Sequence, residues 1–195
     1  GWRAVADRVH EAGGTLFMQI MHGGRTSHPD LIDGADPEAP SSFDWGGTVR
    51  GFSGKMDAPV PRELKKEELP RIVEEFRQGA RRAIDAGVDG VEIHGANGYL
   101  LHEFMAPSAN KREDEFGGSP ENRWRLPEMV IRAVVEEIGA DRVGVRFSPA
   151  HNVQGVIEDD QEDMLATYGG LLRATADLGL AYVSIMHADP AGELV

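Results

Sequence analysis

The sequence predicts an α/β fold built on a parallel sheet. Two observations predict it. Apolar stripes at helical spacing alternate with short apolar runs, four times over, and glycine punctuates each passage from stripe to run. Each run then leaves through a long polar stretch, whereas the passage from stripe to run takes only a few residues. Strands that alternate with amphipathic helices pair in parallel through right-handed crossovers.

The elements follow in order. Trp2, Val5, Val9 and Ala12 share one helical face, and Gly13-Gly14 stops that helix. Thr15 to Met21 reads as the first strand. Ile72, Val73, Phe76, Ala80, Ala83 and Ile84 mark a second helix, which Gly87 ends, and Gly90 to His94 is the second strand. Val130, Val134 and Ile138 stripe a third helix, closed by Gly139, and Val143 to Phe147 is the third strand. Met164, Leu165, Tyr168, Leu171, Leu172 and Leu178 stripe a fourth helix; Gly179 ends it, and Ala181 to Ile185 is the fourth strand, which runs out at His187.

Composition narrows the function. The 195 residues are 27% charged and 41% hydrophobic, enough for a single domain over 1–195 with its own core. The net charge of −13 disfavours bulk attraction to nucleic acid or to an anionic membrane. No apolar run approaches the roughly 20 residues of a membrane helix. Cysteine is absent, which removes disulfides, thiolate metal sites and cysteine nucleophiles. Neither a Gly-x-Gly-x-x-Gly after a strand nor a Walker loop is present.

Long loops leave the strands at about His22–Lys65, Gly95–Arg123 and Ser148–Asp160. In α/β folds ligands lie at the carboxyl ends of the strands, so function is expected there. Taken singly, the polar residues at those ends have ordinary readings. Gln19 is satisfied by neighbouring backbone, Arg146 is half of an ion pair, His94 is a core histidine and Tyr99 is packing. Glu158-Asp159-Asp160 with Glu162 and Asp163 reads as a solvated helix start rather than a metal site.

Together they read differently. His94, Asn97 and Tyr99 fall within six residues of a turn that also contains Gly95 and Gly98. A histidine and an asparagine three apart can aim donors at one oxygen and hold the negative charge that develops there. A neighbouring tyrosine can deliver a proton as general acid. None of these groups donates a hydride, so an organic cofactor must do so. Arg146 suits an electron-rich ring, because fixed positive charge favours its anionic reduced form.

The sequence resembles the old yellow enzyme family of FMN-dependent ene-reductases. Five ordered stretches carry the resemblance: Gln19 to Arg25; Ala39-Pro40-Ser41-Ser42; Val91 to Leu100; Ser108 to Ser119 with Glu121-Asn122-Arg123; and Gly144 to Pro149. The resemblance implies that Gln19 and Arg146 bind FMN, that His94 and Asn97 hold a substrate carbonyl or nitro oxygen, and that Tyr99 donates the proton. It implies NADH or NADPH as reductant, a small-molecule substrate with an activated C=C, and a cytoplasmic protein; the oligomeric state stays open. Asn97 resembles the yeast-type and bacterial branch. Met21 stands where many of that branch have tryptophan, which makes it a substrate-pocket residue. Phe116 replaces a frequent tyrosine.

The resemblance implies a (β/α)8 TIM barrel, of which this sequence matches strands three to six and their helices. A complete barrel takes about 250 residues. The expectation is therefore a partial barrel, lacking the first two and last two strands and with them much of the flavin cradle. The alternative is that the chain by itself is an inactive half-barrel that does not hold FMN stably. A metal hydrolase using His22, His94 and His187 is the remaining reading; the histidines show no zinc-binding spacing.

Overall fold

The computed structural model describes residues 1–186. Four parallel strands form the central sheet: β1 (Phe17–Ile20), β6 (Gly90–Gly95), β7 (Val143–Phe147) and β8 (Tyr182–Ile185), in the order β1-β6-β7-β8. Four main helices accompany them: α1 (Trp2–Glu11), α2 (Leu69–Asp85), α5 (Arg125–Ile138) and α6 (Gln161–Thr175). Every expected helix–strand unit is present, with boundaries shifted by a few residues. Gly13, Gly87, Gly139 and Gly179, the expected helix stops, all have positive φ. His187 lies outside the described residues.

Two of the long loops carry structure of their own. His22–Lys65 holds β2 (Glu38–Ala39), β3 (Thr48–Gly51), β4 (Gly54–Asp57) and β5 (Arg62–Glu63). β3 and β4 form an antiparallel hairpin, and β2 pairs with β5 in parallel. Gly95–Arg123 holds the short helices α3 (Leu100–Met105) and α4 (Pro120–Arg123). These segments lack a helical or alternating apolar period, so their order comes from side-chain anchors. Asn110 Nδ2 donates to the carbonyls of Phe104 and Phe116 at 2.8 and 2.7 Å. Arg112 Nη1 donates to the carbonyls of Pro40 and Leu64 at 3.1 and 2.6 Å. The most distinctive stretch of the sequence is thus a clamp between loops.

Strand alternation divides the sheet into two faces. Val91, Ile93, Val143, Val145 and Phe147 join the main core with Ile72 and Phe76 of α2, Val130 and Val134 of α5, and Met164 and Leu171 of α6. The opposite face carries the polar residues. Gln19, Glu92, Gly144 and Tyr182 stand in one row, and His94, Arg146 and Ser184 in the next.

Three expectations fail in the packing of the helices and their starts. The stripe on α1 is not a buried face: Trp2 is 59% exposed, Val5 is exposed, and only Ala6 is buried. α1 accompanies β1, which pairs only with β6 among the described residues, so that stripe has nothing to pack on. Leu165 on α6 is likewise exposed. Nor is Glu158 part of a solvated helix start, being 8% exposed and accepting from the buried Tyr168 hydroxyl at 3.0 Å. Asp160 is the true cap, accepting from Asp163 N–H at 3.0 Å.

Candidate active site

His94 is the penultimate residue of β6 and 3% exposed. The chain then turns through Ala96-Asn97-Gly98-Tyr99, closed by Tyr99 N–H donating to the Ala96 carbonyl at 3.2 Å. Asn97 and Gly98 have φ of 57° and 78°, so both central residues are left-handed, as in a type I′ turn. The turn folds Tyr99 back towards the strand end, where its ring centroid lies 5.2 Å from that of His94. His94, Asn97 and Tyr99 are therefore gathered at one strand exit.

Arg146 is the register partner of His94 on β7. Its Nη1 donates to Ser184 Oγ at 3.3 Å, and it has no carboxylate partner among the described residues. The expected ion pair is not found among the described residues. Gln19 is not satisfied by backbone either: its Nε2 donates to Glu92 Oε1 at 2.6 Å, on the exposed inner face. Met21 follows β1 by one residue and is 47% exposed. It lines two adjoining cavities of about 400 and 380 Å³, one with His22 and Glu38, the other with Gln19 and Phe76. Neither cavity is lined by His94, Asn97 or Tyr99.

Burial, and next the Arg146 charge, lower the His94 pKa below its ordinary value; Glu92 opposes them. The imidazole is thus neutral at pH 7. Its Nδ1 and the Asn97 Oδ1 are buried without a partner among the described residues. Buried polar atoms are ordinarily bonded, so orphans at one strand exit fit a polar ligand. A flat ring with a polar edge, such as a flavin, fits the wider set. Arg146 offers a charge without a carboxylate partner among the described residues, and the Gln19 carboxamide keeps its oxygen for an amide edge. Among the described residues no three His, Asp or Glu side chains group as metal ligands do.

Glu92 is a further residue of the site, and its place is legible in the sequence. The alternation Gly90-Val91-Glu92-Ile93-His94 puts it on the face of His94. It accepts from Gln19, and burial first, with the neighbouring Glu92 carboxylate second, pushes Tyr182 up to about 12. Ser148 and Gln154 also hold the turn. Ser148 Oγ accepts from Asn97 N–H at 2.8 Å, and Gln154 Nε2 donates to the Asn97 carbonyl at 2.8 Å. No local pattern announces them, since loop packing alone brings them to the turn.

The profile of the NADH:flavin oxidoreductase / NADH oxidase family matches residues 1–189. 12-Oxophytodienoate reductase 1 of Oryza sativa subsp. japonica is 47% identical over 159 residues, covering 82% of this chain and 41% of that protein. The solved old yellow enzyme homologue from Zymomonas mobilis is 36% identical with a TM-score of 0.91, covering 98% of this chain and 53% of that one. Morphinone reductase superposes with a TM-score of 0.87 at 39% identity, covering 100% and 53%. The chain spans about half the length of the relatives it matches. Its four-stranded parallel sheet is accordingly part of an old yellow enzyme barrel.

Proposed function

The chain belongs to the NADH:flavin oxidoreductase / NADH oxidase family, and from that premise we propose that the protein carrying it reduces activated alkenes. Gln19 and Arg146 would hold FMN, which when bound would supply the hydride, with NADH or NADPH as its reductant. The reading assigns Gln19 and Arg146 to the flavin, and Met21 to the wall beside the acceptor. His94 and Asn97 hold the carbonyl oxygen of an α,β-unsaturated compound, or the oxygens of a nitro compound or nitrate ester. Their grip draws electron density from the double bond and stabilises the charge that builds on that oxygen. Tyr99 delivers a proton to the α-carbon as the β-carbon is reduced. The observation that carries the reading is the convergence of His94, Asn97 and Tyr99 at one strand exit, with the His94 Nδ1 buried and without a partner among the described residues. Residues 1–195 then make up the central part of one FMN-binding domain, in a cytoplasmic protein supplied with NAD(P)H. No helix among the described residues is long and apolar enough to cross a membrane.

The test is purification of the full-length protein. It should be yellow and should consume NAD(P)H when given an enone. A folded, colourless and inert protein would overturn the reading.

A second reading concerns residues 1–195 alone. Val183 and Ile185 of β8 are exposed, as is Trp2 of α1. Apolar surface and unpaired strand edges favour self-association over flavin binding. Titration of free FMN into the isolated chain separates the two. Stoichiometric binding with quenched flavin fluorescence would reject this second reading.

A further inference from the structure

We propose that His102, backed by Glu158, is a positioning residue that holds the Ala96–Tyr99 turn in the shape that presents Asn97 and Tyr99. The role rests on the reduction chemistry proposed above.

Asn97-Gly98 is the pair a type I′ turn favours, but Gly98 is buried, so the turn's backbone polar groups must find partners there. Three side chains grip its backbone. Ser148 and Gln154 take the two polar edges of Asn97. His102 takes the third: Gly98 N–H donates to its Nδ1 at 2.9 Å. That N–H lies between the two residues that meet the substrate.

His102 sits in the first turn of α3 and is 0% exposed, and no substrate contact is assigned to it. An imidazole nitrogen that accepts a hydrogen bond carries no proton, so the ring proton sits on Nε2. Nε2 faces Glu158 Oε2 at 3.3 Å, close but without the alignment of a hydrogen bond. Glu158 is itself fixed, accepting from Ala150 N–H at 3.1 Å and from the Tyr168 hydroxyl at 3.0 Å. A carboxylate behind an imidazole selects which nitrogen keeps the proton. A histidine that only filled space would need neither the donor in front nor the carboxylate behind. A leucine would fill the volume and leave Gly98 N–H buried without a partner.

The experiment uses the full-length, FMN-loaded protein and three variants, H102N, H102Q and H102L. Asparagine places an oxygen where Nδ1 stands, whereas glutamine carries its carboxamide one bond farther, towards Glu158. Hydrogen exchange is followed in a peptide spanning 96–101, beside enone reduction and bound-flavin content. H102Q and H102L should exchange faster in that peptide and reduce the enone about ten- to a hundredfold more slowly, the cost of one unsatisfied buried donor. Their flavin content should match the parent, and H102N should track the parent in both measurements. Equal behaviour of H102N and H102Q, or parental exchange and rates in H102Q, would overturn the proposal. Should H102L not fold, the comparison of H102N with H102Q decides. If the parent protein reduces no enone, the functional reading fails, and the exchange comparison still judges His102.

Discussion

Phe17 and Tyr182 stand on the two outer strands of the four-stranded sheet, yet their ring centroids lie 5.6 Å apart. In a flat sheet, strands three spacings apart are separated by about 14 Å. The rings meet because the sheet curls and because the residues between them, Gly90 and Gly144, have no side chain. A Cβ on Gly90 would lie 2.5 Å from the Phe17 ring, and one on Gly144 would collide with the Tyr182 ring. The curl is what turns Gln19, Glu92, His94 and Arg146 towards a common centre.

Gly144→Val should therefore act on both stability and site geometry. Forcing the Tyr182 ring away costs about 1–3 kcal/mol, the usual range for overpacking. Urea unfolding of the full-length protein measures the loss. A neutral result would mean that the rings are not packed across the glycines.

Tyr99→Phe keeps the ring beside His94 and removes only the hydroxyl. Loss of a general acid typically slows a reaction about 10²- to 10⁴-fold. Stopped-flow measurement of the two half-reactions should show alkene reduction slowed by that order and flavin reduction by NAD(P)H nearly unchanged. Equal slowing of both would remove Tyr99 from the proton-donor role.

His94 titrates below its ordinary value of 6.5, through burial first and the Arg146 charge second. As pH drops below 6.5 the unfolded chain takes up this proton before the folded chain does. The His94 contribution to stability accordingly falls on acidification and is constant above that value. Arg146→Met removes the larger of the two charge causes, Arg146 and His102, and should move the His94 titration upward, as read by NMR of the imidazole protons. No movement would show that the charge does not reach the ring.

Glu103 shows the opposite sign. It is buried on α3, its Oε1 accepts from Arg25 N–H at 2.9 Å, and burial pushes it up to about 8. Between the ordinary value of 4.5 and about 8 the folded chain keeps a proton that the unfolded chain has released. Stability should fall as pH rises through that window. Glu103→Gln keeps an acceptor for Arg25 and removes the ionisation, so thermal unfolding followed from pH 5 to 9 should lose that slope. A persistent slope would locate it elsewhere.

Arg123 joins the loop after α3 to α6. Its Nε donates to the Met105 carbonyl at 2.7 Å, and its Nη2 meets Asp163 at 2.5 Å and Thr167 at 3.0 Å. Arg123→Lys keeps the charge but loses the fork and some of its buried hydrogen bonds, and should cost about 1–3 kcal/mol in urea unfolding. A cost under about 0.5 kcal/mol, typical of an exposed pair, would contradict this geometry.

The helix–strand rhythm was written in the sequence, because burial against a sheet imposes a period on each element that local residues must satisfy. The turn holding His94, Asn97 and Tyr99 was equally legible, since six consecutive residues cannot lie far apart. What local pattern does not encode is contact across long stretches of chain. The pairing of Gln19 with Glu92, the hold of Ser148 and Gln154 on Asn97, the burial of Glu158 behind His102 and the bare face of α1 all depend on which surfaces meet. Only packing in three dimensions fixes those meetings, because hydrogen bonds and burial depend on distance in space rather than on position along the chain.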